Sequence, residues 1–261
     1  MDYLQSNEYV EYLKKNYEVR GYDDQRREAN FTGAGIDIFL EYVKLLKIQK
    51  DHKGLEVGCG LGRLLKELFD VYKCELYGID RNSKAIELAQ VRVGSICKDL
   101  KNCSAEDICF PKEFFDFIIC WGVFELCNQE KTLSEMARCL KVGGQILITG
   151  KSHDYHKDDV EAYSAEVAIT EKKIYHNFSN YDKLLQFGKS IGLTPLHQRF
   201  FERRGYFVNN KAENKRLSYF YEWLIVFQKK EIVTDNEKMI KFSVQHSVSY
   251  DNRHNEPKNG I

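Results

Sequence analysis

Proline is scarce in this chain: Pro111, Pro195 and Pro257 are the three among 261 residues, so helices and strands meet few of the breaks that proline imposes. No repeat or low-complexity tract occurs, which argues against a solenoid or fibrous design. Neither sign of charge is in excess, since 39 Lys plus Arg balance 39 Asp plus Glu. Such a chain sets up no general field toward nucleic acid or an anionic membrane, and neither partner is expected. The first twenty residues lack the basic start and apolar middle of a signal peptide. The longest apolar run, Phe114 to Cys127, carries Asp116 and Glu125 and is too short and too charged to span a bilayer. A cytoplasmic protein is expected. The eight cysteines form no C-x-x-C pair and read as reduced thiols, with no metal site and no disulfide.

What is present is a long pattern of short apolar runs alternating with helical segments. LEVG, ELYGID, FDFIICW and QILITG read as strands, and the segments 61–72, 83–93 and 132–140 between them read as helices, the last ended by Gly143. Near-continuous apolar strands separated by helices indicate a parallel sheet covered on both faces. The expected fold is therefore α/β, a doubly wound, mostly parallel seven-stranded sheet. Before it, helices near 7–18, with Tyr9, Tyr12, Leu13 and Tyr17 on one face, and near 34–48 form a helical cap. After it, a helix near 159–173 and another opened by a capping box at Ser179 form an insert. LTPLHQRFFERR and SYFYEWLIVFQ then pair as an antiparallel hairpin. In domain terms, residues 1–231 form a single unit: cap 1–50, core 51–150, lid insert 151–192 and C-terminal strands 193–231. A polar tail, 232–261, follows. Within the tail, Ile240, Phe242, Val244, Val248 and Tyr250 alternate, as an added strand or as an unfolded extension.

The strand at 54–57 runs through Glu56-Val57-Gly58-Cys59-Gly60-Leu61-Gly62 straight into a helix. Glycines there let the backbone turn sharply and lie close against a ligand, beside free helix N–H groups. Asp80 ends the next strand about 20 residues on, where its carboxylate can accept from two ribose hydroxyls. A dinucleotide fingerprint spaces its glycines G-x-G-x-x-G, whereas here they fall G-x-G-x-G, with Arg63 at the third dinucleotide position. Glu56 also suits a cationic ammonium better than a pyrophosphate.

Four segments, in order and at the right spacing, carry a resemblance to a known family. LEVGCGLGRLL, YGIDRNSKAIELAQ, CSAEDICFPKEFFDFIICWGVFEL and EMARCLKVGGQILITG are together similar to the class I, Rossmann-like S-adenosylmethionine-dependent methyltransferases, in their small-molecule branch, over about residues 53–150. The resemblance implies S-adenosylmethionine as cofactor and S-adenosylhomocysteine as product. By position it implies that Gly58, Cys59 and Gly60 line the methionine and ribose, Glu56 holds the ammonium group and Asp80 the ribose. Arg81 would flank the adenine, Ala105 and Glu106 would meet its edge, and the backbone of Cys120 and Trp121 would meet the methionine part. The pattern is departed from at Ser104 and Val142.

Methyl transfer is an in-line displacement, so the protein mainly aligns an acceptor and excludes water. Oxygen and nitrogen acceptors often need a base. The segment Lys151-Ser152-His153-Asp154-Tyr155-His156-Lys157-Asp158-Asp159 follows the fifth strand at the cofactor edge. It offers His153 and His156 as bases and Tyr155 as an acceptor contact, or else a solvated loop whose acids favour the next helix N-terminus. His176 is a further acceptor contact. In RFFERRG, strand alternation sends Arg199 and Arg203 to one face, as an anion clamp or as solvated edge charge. The leading expectation is methylation of a small-molecule or sugar-linked acceptor at oxygen, including an anionic phosphate or phosphoramidate group in bacterial capsule or surface-glycan synthesis. The rivals are a non-catalytic cofactor-binding regulator and a nucleic-acid methyltransferase. Oligomeric state is not set by the sequence.

Overall fold

The computed structural model describes residues 3–19, 35–171, 174–230 and 240–245. The connector 20–33 and the tail residues Val248 and Tyr250 lie outside them, as does the side chain of Tyr17. Helices α1 (Asn7–Val19) and α2 (Ile36–Val43) come first. The core then alternates β1 (Lys53–Val57), α3 (Arg63–Tyr72), β2 (Glu75–Asp80), α4 (Ser83–Val93), β3 (Asp99–Asn102), β4 (Phe115–Cys120), α5 (Gln129–Cys139) and β5 (Leu140–Lys151). After it come α6 (Val160–Glu171), β6 (Asn177–Ser179), α7 (Tyr181–Ser190), β7 (Leu193–Phe201), β8 (Glu222–Lys229) and β9 (Ser243–Gln245).

The seven-stranded sheet has the order β3-β2-β1-β4-β5-β8-β7. Pairings from β3 through β5 are parallel, while β8 runs antiparallel to both β5 and β7. The expected doubly wound sheet with a C-terminal antiparallel hairpin is present. Its strands obey the period of two with both faces buried. On β8, Trp223, Ile225 and Phe227 enter one core with Ile146, Ile148, Met136 and Leu184. Leu224 and Val226 enter the other with Leu147, Leu65, Val93 and Phe39. Successive strands leave β1 toward β2 and β3 on one side, and from β4 onward the chain proceeds on the other. The order reverses between β1 and β4, and a crevice at their carboxyl ends is where such sheets bind ligands.

Several local readings are corrected. The helix α5, expected over 132–140, starts at Gln129 and ends at Cys139; Gly143 is not its stop, since Leu140 already pairs with Phe115 and the register shift opposite Asp116 accommodates Gly143 at φ 84°. Ser179 caps no helix, because it is the last residue of β6, and Asn180 caps α7 by accepting from the Lys183 N–H. The polar edge strand β3 and the three-residue β6 carry too little apolar signal to be read in advance. At the other end, Ser243–Gln245 forms an added strand on β6, and Phe242 is buried in the core.

Candidate functional site

The turn after β1 is strapped to β2. The Gly58 and Cys59 N–H groups both donate to the Ile79 carbonyl, at 2.8 and 2.9 Å. The Gly60 N–H donates to Asp80 Oδ2 at 2.9 Å, and the Asn82 N–H donates to Oδ1 at 2.8 Å. Gly58 and Gly60 have φ of 73° and 52°, the left-handed region that costs other residues steric strain. A Cβ on Gly58 would also lie 2.6 Å from Val123. Asp80, 6% exposed, is thereby aimed at the turn, and burial raises its carboxyl above the usual range against those N–H groups.

Glu56 stands one strand residue before the turn and is 4% exposed. Its Oε2 has no hydrogen-bond partner among the described residues. Burial pushes its carboxyl up to about 8, with Arg63 pulling it down and Asp80 pushing it up. A buried carboxylate with one oxygen unpartnered is costly, and a ligand bearing a cation relieves it. S-adenosylmethionine carries an ammonium group, so the residues fit it: Glu56 for the ammonium, Asp80 for ribose hydroxyls through its remaining lone pairs, and the glycine turn for close approach.

A cavity of about 450 Å³ opens from this turn, lined by Glu56, Gly58, Cys59, Gly60 and Trp121 among others. A smaller hollow adjoins it, lined by Gly58, Asp80, Arg81, Ala105 and Glu106. Leu4, Tyr9, Val123 and Leu126 border both, so the two form one crevice across the β1–β4 switch point. The N-terminal segment covers it: Asn82 Nδ2 donates to the Leu4 carbonyl at 2.9 Å, and Tyr12 and Leu13 join Tyr9 on the cavity wall. Glu106 is held in place, Oε1 accepting from the Asn128 N–H at 2.8 Å while Oε2 meets the Ser104 hydroxyl. The Cys120 side chain is fully buried in the core, and the next residue, Trp121, lines the cavity. Trp121 is wedged against Phe39 and Phe207, ring centroids 5.1 and 5.2 Å away. Thr149 Oγ1 accepts from the Gly122 N–H at 2.8 Å and fixes the loop after β4.

The far half of the cavity differs from expectation. His153, Tyr155, His156, Arg199 and Arg203 do not line it. Tyr155 is 1% exposed, packed between Phe178 and Tyr221, and it anchors a loop whose histidines meet other partners. His153 Nδ1 lies 3.2 Å from the Ser179 carbonyl, and His156 Nε2 lies 2.8 Å from Glu202. Arg203 pairs with Asp158 at 3.1 Å on the surface, and Arg199, on the edge strand, donates to the Gln198 carbonyl at 2.8 Å. The alternation that would carry Arg203 inward fails because β7 ends at Phe201.

In their place the cavity wall holds His176, Lys151, Arg204, Glu125 and Glu222. Of these, only His176 is among the expected site residues. Glu166, 0% exposed on α6, organises the group. Its Oε1 receives the Lys151 ammonium at 2.8 Å and the Tyr221 hydroxyl, and its Oε2 lies 2.8 Å from His176 Nδ1. Burial opposes ionisation of Glu166, but Lys151 and His176 outweigh it and hold the carboxyl far below its usual range. Lys151 and Glu222 face each other across the β5–β8 pairing, so the antiparallel insertion of β8 brings residues 71 positions apart to one wall (from 151 to 222). Asp159 joins the ends of the network: Oδ1 accepts from the Ala162 N–H at the start of α6, and Oδ2 accepts from the Arg204 N–H at 2.8 Å.

The fold is that of the Rossmann-like methyltransferases, and residues 55–148 match the family model described as a methyltransferase domain. Among curated relatives, the chain is 25% identical over 213 residues to phosphoethanolamine N-methyltransferase 2 of Caenorhabditis elegans, covering 71% of this chain and 48% of that protein. It is 30% identical over 77 residues to a ubiquinone/menaquinone biosynthesis C-methyltransferase of Bordetella avium, 28% of this chain and 30% of that one. The chain thus spans about half the length, or less, of these relatives. Among solved structures, Haemonchus contortus phosphoethanolamine N-methyltransferase 2, bound to phosphomonomethylethanolamine and S-adenosylhomocysteine, superposes with a TM-score of 0.62 at 16% identity, over 84% of this chain and 57% of that one. A geranyl diphosphate methyltransferase with its methyl donor gives 0.57 at 13%, over 73% and 79%. At those identities the likeness concerns the fold.

Proposed function

We propose that this chain transfers the methyl group of S-adenosylmethionine to a small-molecule acceptor seated in the cavity beside the glycine turn. The observation that carries the reading is the continuity of the crevice: the buried Glu56 carboxylate, its Oε2 unpartnered among the described residues, and the turn held by Asp80 open directly on about 450 Å³ of space. Bound there, the cofactor supplies an electrophilic methyl group on a sulfonium. The chain's own residues do the rest. Glu56 and Asp80 fix the two ends of the binding crevice, Trp121 walls the reacting region, and the helix α1 with Tyr9 and Leu13 excludes water.

A regulator that merely binds the cofactor has no need of an acceptor chamber, and the polar far wall of this one supports catalysis. The narrower reading, an anionic or sugar-linked acceptor in capsule or surface-glycan assembly, draws support from Lys151 and Arg204 on that wall rather than from Arg199 and Arg203. Its support is limited by geometry, since Lys151 is already paired with Glu166.

The test is formation of S-adenosylhomocysteine from S-adenosylmethionine over a library of small metabolites, followed by mass spectrometry. Acceptor-dependent product is expected. A protein that binds S-adenosylhomocysteine yet turns over with no acceptor would favour the regulator.

A further inference from the structure

Among the described residues, the far wall of the cavity holds more carboxyl groups than its cations balance. Glu222 opens β8, Glu125 lies in the short turn Phe124–Leu126 after β4, and Glu166 stands behind them on α6. Against these three carboxyls stand two permanent cations among the described residues of the wall. Lys151 is committed to Glu166 at 2.8 Å, and burial of its ammonium is outweighed by Tyr221 and Glu166, which raise its pKa. Arg204 Nη1 donates to the Tyr221 hydroxyl at 3.1 Å, with its guanidinium 5.9 Å from the centre of that ring.

Glu222 meets Lys151 and Arg204 as charges across the wall, and Glu125 Oε2 is shut off from solvent with no hydrogen-bond partner among the described residues. A second polar group awaits a ligand in the same chamber: His176, 5% exposed, has Nδ1 against Glu166 but no hydrogen-bond partner for Nε2. The groups facing Glu222 are Lys151 from β5, Arg204 from the loop after β7, Glu125 from the turn after β4 and Glu166 from α6. Burial raises its carboxyl to about 7, the two cations pulling down and the two acids pushing up.

An anion entering here would meet carboxylates already in excess. A neutral hydroxyl would satisfy one oxygen and leave the charge. An ammonium supplies both donors and charge to Glu125 and Glu222, and burial beside the chamber brings Glu222 to a proton affinity matched to neutral pH.

We propose that the acceptor is a small amine, bound as its ammonium ion on Glu125 and Glu222, and that Glu222 takes the proton that frees the nitrogen lone pair. The proposal rests on the methyl-transfer reading above. An N–H bond breaks and its proton moves to the Glu222 carboxylate. The lone pair forms the N–CH3 bond as the methyl–sulfur bond breaks, the electron pair staying on sulfur. The product leaves as a methylated ammonium ion and Glu222 returns its proton to solvent.

The experiment begins with calorimetric binding of S-adenosylhomocysteine to wild type and to Glu222→Gln, which is neutral and nearly isosteric. Ethanolamine, glycine and benzylamine, with the matching alcohols ethylene glycol, glycolate and benzyl alcohol, are then titrated into the loaded protein and offered as acceptors. At least one amine is expected to bind and be methylated, and none of the alcohols. Glu222→Gln should lower kcat about 100-fold at pH 7, keep S-adenosylhomocysteine affinity within about twofold, and lose less at pH 9.5, where more free base is present. The wild-type kcat should rise through a group titrating near 7. Methylation of an alcohol in place of an amine, no amine bound by a protein that binds S-adenosylhomocysteine, or undiminished activity in Glu222→Gln would each overturn the proposal. If that variant fails to fold, a wild-type kcat flat from pH 5.5 to 8.5 overturns it. Failure of wild type to bind S-adenosylhomocysteine would instead strike the cofactor reading.

Discussion

The two halves of the crevice are built differently. The cofactor half comes from one short stretch of chain, β1 to the loop after β3, in which the turn at 58–62 is tied to the next strand by Gly60 and Asp80. The acceptor half is assembled from β5, α6, the segment before β6, the loop after β7 and the start of β8. Contiguous sites are written in local spacing, whereas assembled ones depend on register and on where strands stop. Both halves keep an unpartnered carboxylate oxygen among the described residues, Glu56 Oε2 beside the turn and Glu125 Oε2 on the far wall, but only the acceptor half also holds an internally neutralised group, Glu166 with Lys151 and His176.

Breaking that internal network should give the largest effect on stability. Glu166→Ala leaves Lys151 and His176 facing an empty site, and loss of one partner of a buried ion pair costs about 3 to 5 kcal/mol. Chemical denaturation should show it. A midpoint within error of wild type would mean that the Lys151 ammonium is solvated and not buried.

Next in size is damage to the turn. Gly60→Val places a branched side chain at φ 52° and should abolish S-adenosylhomocysteine binding while leaving a cooperative thermal transition. Asp80→Ala should weaken binding less, since it removes charged hydrogen bonds worth about 1.5 to 3 kcal/mol each before compensation. Normal binding in both variants would reduce the turn to a structural role.

The pH dependence sharpens the comparison further. Glu56 rises from 4.5 to about 8 and Glu222 from 4.5 to about 7. A carboxyl whose folded pKa is raised binds more protons folded than unfolded above pH 4.5, so stability falls as pH rises through that window. The ligand-free protein should therefore melt at progressively lower temperature from pH 5 to 8. Stabilisation by S-adenosylmethionine should grow over the same range, because its ammonium favours ionised Glu56. Glu56→Gln should flatten the growth, and an unchanged slope in that variant would remove Glu56 from the ammonium site.

The smallest effects are expected at Arg199 and Arg203. Arg199→Lys and Arg203→Lys should change stability by less than about 0.5 kcal/mol, as surface substitutions do, and leave acceptor kinetics alone. Arg204→Lys should raise acceptor KM by loss of the planar fork beside Tyr221. The reverse ranking would restore the edge strand as the acceptor wall.

The sequence made the sheet and its glycine turn legible because each depends on local patterning: apolar strands of four to six residues, glycines at fixed offsets, and an acid about 20 positions later. It did not make the acceptor wall legible. Arg204 lies beyond Phe201, where the strand alternation stops, and Glu222 reaches the wall only because β8 is inserted beside β5. His153 and His156 were attractive for their proximity to the fifth strand, but Tyr155 inserts into the core and the two histidines meet Ser179 and Glu202 instead. A cue was present in Lys151, the one cation at the end of an otherwise apolar strand, since a buried lysine demands a carboxylate partner nearby.

The central claim is that the turn at 58–62, with Glu56 and Asp80, binds S-adenosylmethionine rather than a dinucleotide. Isothermal titration of the wild-type protein with S-adenosylmethionine, S-adenosylhomocysteine and NAD tests it most directly. The account predicts saturable binding of the first two, no heat from NAD, and at least tenfold weaker S-adenosylhomocysteine binding in Asp80→Ala, about 1.4 kcal/mol. Binding of NAD, or of none of the three, would contradict it.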